Sequence, residues 1–208
     1  PHFPVYLLLG IVLWSFFTEA TTQGLQAIVS RGDLIRKINF PKYIIVISGT
    51  VSALINLVLN LLVIGVFMII GGVQLTGAVV FFPLIILELY VFALALAFIL
   101  SAAYVKYRDI GYIWEVLLQA LFYATPILYT IGIVDEKSHL AAQVMMLSPI
   151  AQAIQDARYV LITQQTQTIY DLMHQTWAIA IPFVIILVCT LAAVFYFRKS
   201  SRFFAENV

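Results

Sequence analysis

Residues Ala78–Tyr104 read AVVFFPLIILELYVFALALAFILSAAY, with one charged residue, Glu88, in the run. A helix rises about 1.5 Å per residue, so a run this long exceeds the roughly 30 Å hydrocarbon thickness of a bilayer. Four other runs of the same kind occur: Val5–Val29, Tyr43–Ile70, Gly111–Val134 and Trp177–Phe197. In hydrocarbon every backbone N–H and C=O must be paired within the segment, which makes these runs helices. Barrel strands would be shorter and would alternate. Of 208 residues, 63% are hydrophobic and 10% charged, too few charges to cover a soluble domain of this size. The expected fold is therefore all-α: a single transmembrane domain over 1–208, with five spans and an outer region over 135–176.

The polar segments orient the chain. Arg31, Arg36, Lys37, Lys42, Lys106, Arg108, Arg198, Lys199 and Arg202 fall on one side of this five-span layout. Lys137 and Arg158 fall on the other, diluted by Asp135, Glu136, Asp156 and Asp171. An excess of Lys and Arg marks the cytoplasm. The expectation is a multi-pass protein of the cytoplasmic membrane, with the C-terminus inside and Pro1 outside. An earlier span would then precede this sequence.

The segment from Asp135 to Thr176 is long yet only moderately polar. Ser148-Pro149 reads as a helix start, with Ser148 as cap and Pro149 in the first turn. Ile150, Ile154, Ala157 and Leu161 then recur at helical spacing, with Gln152, Gln155, Asp156 and Tyr159 elsewhere on the wheel. A second short helix is expected over His139–Leu147. Thr125-Pro126 should break the fourth apolar run before its end. These features predict short re-entrant helices forming a gate at the outer face.

Few residues offer chemistry. Glu88 in mid-run is costly, and reads equally as a pathway group or as a hydrogen-bonded contact to Asn56 or Asn60. Glu19 and Glu115 read as carboxylates near cytoplasmic ends that reach water. Ala93, Ala97 and Ser101 form a small-residue stripe for close helix packing. Aromatics such as Trp14, Phe17, Tyr123 and Tyr129 read as interfacial anchors, with stacking on sugars as the alternative. Cys189 reads as a buried small hydrophobe. His2, His139 and His174 form no ligand cluster, and no phosphate-binding loop G-x-x-x-x-G-K-[ST] occurs. No catalytic residue, cofactor site or metal site is expected in this chain.

Three stretches resemble the transmembrane subunit of ABC-2 exporters, nearest to permeases for O-antigen, capsule or teichoic acid. Leu13-Trp14-Ser15-Phe16-Phe17 precedes Asp33-Leu34-Ile35-Arg36-Lys37-Ile38-Asn39-Phe40-Pro41, similar to W-x-F-F and then L-I-x-K-[VI]-x-F-P. Val105-Lys106-Tyr107-Arg108-Asp109-Ile110 and Thr125-Pro126-Ile127-Leu128-Tyr129 are similar to R-D-[VI] and P-I-x-Y. Ser148-Pro149 followed by Arg158 is similar to an N-P motif with a later arginine, serine standing for the usual asparagine.

The resemblance implies a six-span subunit whose N-terminal interface helix and first span lie before this sequence. It implies a homodimer with separate ATP-binding subunits that hold ATP and Mg. Asp33, Leu34, Ile35, Arg36 and Lys37, with Arg108 and Asp109, would couple to the ATPase. Trp14, Phe17, Glu88, Tyr123, Pro126, Tyr129, Ser148, Pro149 and Arg158 would line or gate the substrate path. The cargo would be a lipid-linked polysaccharide. A drug or antibiotic exporter is the nearest alternative, and a membrane enzyme on lipid-linked substrates a more distant one. Membrane lipids are expected as surroundings, and nucleic acid is not expected as a partner.

Overall fold

The computed structural model describes residues 2–33, 41–173 and 175–204. Among these every regular element is helical. α1 (Phe3–Ser30) and α2 (Lys42–Ile70) are long and apolar enough to cross a membrane. So is α3 (Phe82–Lys106) with its 3₁₀ lead-in Gly77–Phe81. The fourth such segment, Trp177–Ser200, joins a short helix to the last long one.

α1 is the centre of the bundle. It packs against both α2 and α3, and α3 in turn packs on the last long helix. The faces α2 turns away from the core carry Ile55, Leu59, Leu62, Val66, Ile69 and Ile70, all exposed. An apolar outer surface of this size suits lipid rather than water.

The small-residue stripe does what its spacing predicts. Ala93, Ala97 and Ser101 are buried. A Cβ built on Gly24 of α1 would stand 2.3 Å from the Ala97 Cβ. Only glycine there lets the two backbones approach so closely. At the far end of α2 the chain reverses through Gly71 and Gly72. Gly72 takes φ +66, and the Val73 N–H returns to the Met68 carbonyl at 3.0 Å. That left-handed residue just past the helix is a standard glycine stop.

The fourth apolar run is not one continuous span. α4 (Ile110–Ala124) stops before Thr125-Pro126, after 15 residues, or about 22 Å. α5 (Ile131–Lys137), α6 (His139–Met146) and α7 (Pro149–Leu161) follow. Then come α8 (Ile169–Leu172), α9 (Thr176–Ile179) and α10 (Ile181–Ser200). The described residues thus hold four span-length helices and one shorter apolar helix, rather than five spans.

Both short helices expected over His139–Leu161 are present as α6 and α7. Their details differ from expectation. Ser148 makes no capping hydrogen bond; Ser138 does, its Oγ accepting from the Ala141 N–H at 3.3 Å. Nor does α7 leave its polar face to solvent: Gln152, Gln155 and Arg158 are all buried. α7 lies against α3 and α1, so its polar side meets protein.

The bundle has two distinct ends. Lys42 Nζ donates to the Ser201 carbonyl, and Arg31 donates to the Ser48 hydroxyl at 3.3 Å, so the helix ends carrying these cations lie together. The opposite end holds the start of α1, the Gly71 turn near His2, and α5 to α9.

Candidate functional site

The most structured polar feature is the helix break after α4. A proline cannot donate, and the chain beyond it leaves carbonyls without helical partners. Here side chains take them. Arg158 Nη1 donates to the Pro126 carbonyl at 2.6 Å, and Nη2 donates to the Ile127 carbonyl at 2.7 Å. Its Nε donates to the Tyr6 carbonyl of α1 at 3.1 Å, and Nη1 also reaches Gln155 Oε1 at 3.2 Å. Tyr129 Oη donates back to the Tyr123 carbonyl at 2.9 Å.

Arg158 is 0% exposed. Its guanidinium lies 3.8 Å from the Tyr6 ring centroid, and the Tyr6 hydroxyl donates to the same Gln155 oxygen at 3.2 Å. Burial pulls the guanidinium pKa down, and the Tyr6 hydroxyl opposes that. Carbonyl dipoles and one ring face therefore hold a charge that no carboxylate neutralises by a salt bridge among the described residues. A Cβ on Gly10 would stand 2.3 Å from Arg158 Nη2, so that position must lack a side chain. Pro149 occupies the first turn of α7 and is buried.

Below the break, α1 and α4 run antiparallel and enclose a groove of about 520 Å³. Its walls are tied by the Trp114 indole N–H, which donates to Thr21 Oγ1 at 3.2 Å. Trp14 packs edge-on to Phe122 at 5.7 Å, and Phe17 stacks on Phe92 at 5.9 Å. Thr18 and Thr22 line the α1 side; Glu115, Gln119 and Tyr123 line the α4 side. These sit four residues apart on each helix, so each set forms one stripe. Thr18 Oγ1 is buried and has no partner among the described residues. Hydrogen-bonding groups, rimmed by Trp14 and Phe122, thus run along a face between two otherwise apolar helices.

The expected site residues divide accordingly. Trp14 and Tyr123 line the groove, while Pro126, Tyr129 and Arg158 belong to the hydrogen-bonded break that follows α4. Phe17 is buried and belongs to the packing behind it. Glu88 on α3 stands apart from the groove. It does not bond Asn56 or Asn60, and its Oε1 has no hydrogen-bond partner among the described residues. Asn56 instead donates to Glu19 Oε1 at 2.6 Å, and Gln23 donates to the same oxygen at 2.8 Å. Glu19 lies well inside α1, not at its end. Asp156 accepts from Gln152 Nε2 at 3.1 Å; burial raises its pKa and that bond lowers it.

Arg108 and Asp109 are exposed at the basic end, and Arg108 lies over the Tyr104 ring at 5.5 Å. Asp33 is exposed there too. Leu34, Ile35, Arg36 and Lys37 lie outside the described residues. Thr18, Thr22 and Gln119 were not singled out from sequence. Their signal was a polar residue every fourth position inside an apolar run.

The family model for ABC-2 type transporter matches residues 3–162. The chain is similar to the O-antigen export system permease protein RfbA of Myxococcus xanthus, 31% identical over the whole chain and 77% of that protein. It is also similar to two proteins of that name from Klebsiella pneumoniae. One is 26% identical over 74% of this chain and 59% of that protein, the other 22% identical over 99% of this chain and 76% of that protein.

Proposed function

The chain belongs to the ABC-2 type transporter family, as a membrane-spanning permease, and we propose that it carries lipid-linked polysaccharide outward across the cytoplasmic membrane, driven by a separate ATP-binding subunit. The observation that carries this reading is the polar stripe along α1 and α4. A hydroxyl-rich polymer needs hydrogen-bonding groups at membrane depth, and lipid does not provide them. Thr18, Thr22, Glu115 and Gln119 offer donors and acceptors, and Trp14 and Tyr123 offer ring faces for sugars.

One copy forms half a channel wall. Two copies about a two-fold axis would close the groove into a path, as symmetric assembly favours. The basic end of the bundle faces the cytoplasm and the ATPase. Asp33 to Lys37, with Arg108 and Asp109, make that contact, and ATP and Mg are held by the partner. α5 to α7 form the outer gate as re-entrant helices, and Arg158 fixes the hinge where α4 breaks.

Deleting the gene in its own cell tests the reading. Loss of surface polysaccharide with polymer retained inside, restored by the complete gene, is the expected result. Unchanged surface polymer together with new sensitivity to an antibiotic would point to a drug exporter instead.

A further inference from the structure

At the end of the bundle beyond the Pro126 break lies a second cavity, of about 420 Å³. This is within the range of small-molecule sites, about 300–1,000 Å³. It opens between the start of α1, the start of α5 and the loop that follows α7. We propose that it binds one neutral, hydroxyl-rich sugar unit of the polymer as it leaves. This rests on the polysaccharide reading given above.

Two orphaned atoms point to a ligand there. Thr166 is 6% exposed, lines the cavity, and its Oγ1 has no hydrogen-bond partner among the described residues. Gln167 also lines it, and its Oε1 is likewise buried and unpartnered. A buried polar group without a partner is costly, so such groups ordinarily meet a ligand or water. A sugar hydroxyl can donate to an amide oxygen such as Gln167 Oε1 or accept from a hydroxyl such as Thr166 Oγ1.

The remaining lining fixes the ligand class. It contains His2 but no Lys, Arg, Asp or Glu, so it lacks a permanent charge to pair with a phosphate or a cationic drug. Phe3 is exposed on one wall and stacks on Tyr6 at 6.2 Å, leaving an aromatic face for the apolar side of a sugar ring. The Tyr6 ring is already covered by Arg158, so Phe3 is the usable platform. On the floor, a Cβ at Gly132 would lie 3.4 Å from Gln167 Oε1, so a larger residue there would enter the space the ligand needs.

The test uses the complete permease with its ATPase in lipid nanodiscs. Maltose is the probe and glucose 6-phosphate the anionic control, with saturation-transfer NMR as the readout. Maltose should receive saturation, and glucose 6-phosphate much less. Thr166→Val and Gln167→Leu should each weaken maltose about five- to tenfold, and Gly132→Phe should abolish its signal. Thr166→Val is nearly isosteric, so its result stands even if Gly132→Phe does not fold. No transfer to the unaltered protein, equal transfer to the phosphate, or undiminished transfer in Thr166→Val would overturn the site. If deletion of the gene removes surface polymer while maltose does not bind, the exit site fails and the export reading stands.

Discussion

Arg158 on α7 donates to the Pro126 carbonyl at 2.6 Å, so one side chain bridges the break after α4 to a helix 32 residues further along. The same guanidinium reaches α1 through the Tyr6 carbonyl. Three elements that share no sequence neighbourhood thus meet at one planar group with five donors.

Replacing it should be severe. Arg158→Met keeps the volume but leaves the carbonyls of Pro126 and Ile127 without a donor, while the Tyr6 carbonyl keeps its helical bond within α1. At about 1–3 kcal/mol for each buried unsatisfied group, the expected loss is at least about 2 kcal/mol. Arg158→Lys should not restore stability, because one ammonium cannot span three carbonyls in the fork geometry. Thermal unfolding of the purified permease in detergent reads this out. A lysine variant as stable as the parent would contradict it.

Gly24 and Ala97 predict a compensating pair. Gly24→Ala places a methyl against Ala97, and overpacking of this kind costs about 1–3 kcal/mol. Ala97→Gly alone should cost less, and the double variant should recover much of the loss. Strict additivity in a double-mutant cycle would show that the two helices do not meet there.

Asp156 gives a pH prediction. Burial raises its pKa in the folded state, so the fold binds that proton more tightly than the unfolded chain. Its favourable contribution is present below the unfolded pKa and is lost as pH rises through the raised folded value. Asp156→Asn, which mimics the protonated acid, should therefore be more stable than the parent at about pH 8. The difference should vanish at about pH 3, below the unfolded value, where the acid is neutral in both states. A difference of equal size at both pH values would refute this origin.

Much of the fold could be read from the chain. Runs such as Ala78–Tyr104 can only be helices in lipid, and Pro126 announced the break. What stayed hidden depended on contacts far apart in sequence. Arg158 looked like one of two outer basic residues because its Tyr6 partner lies 152 positions away. Glu19 looked solvated because nothing local indicates that Asn56 would reach it. Ser148 resembled a cap by residue type, yet capping depends on side-chain direction, and Ser138 took that role for α6. The Thr18, Thr22 and Gln119 stripe was visible as spacing, but it acquired meaning only once α1 and α4 faced each other.

The claim that the α1–α4 groove carries the polymer is tested most directly by cysteine accessibility in the complete transporter. Cys189 is first replaced by alanine; Gln119→Cys and Thr22→Cys then report the groove, and Leu117→Cys reports the exposed apolar side of α4. A water-soluble methanethiosulfonate reagent should modify the two groove positions and not Leu117→Cys. Polymer stalled in transit should block that modification. Equal labelling at all three positions, unaffected by stalled polymer, would contradict the account.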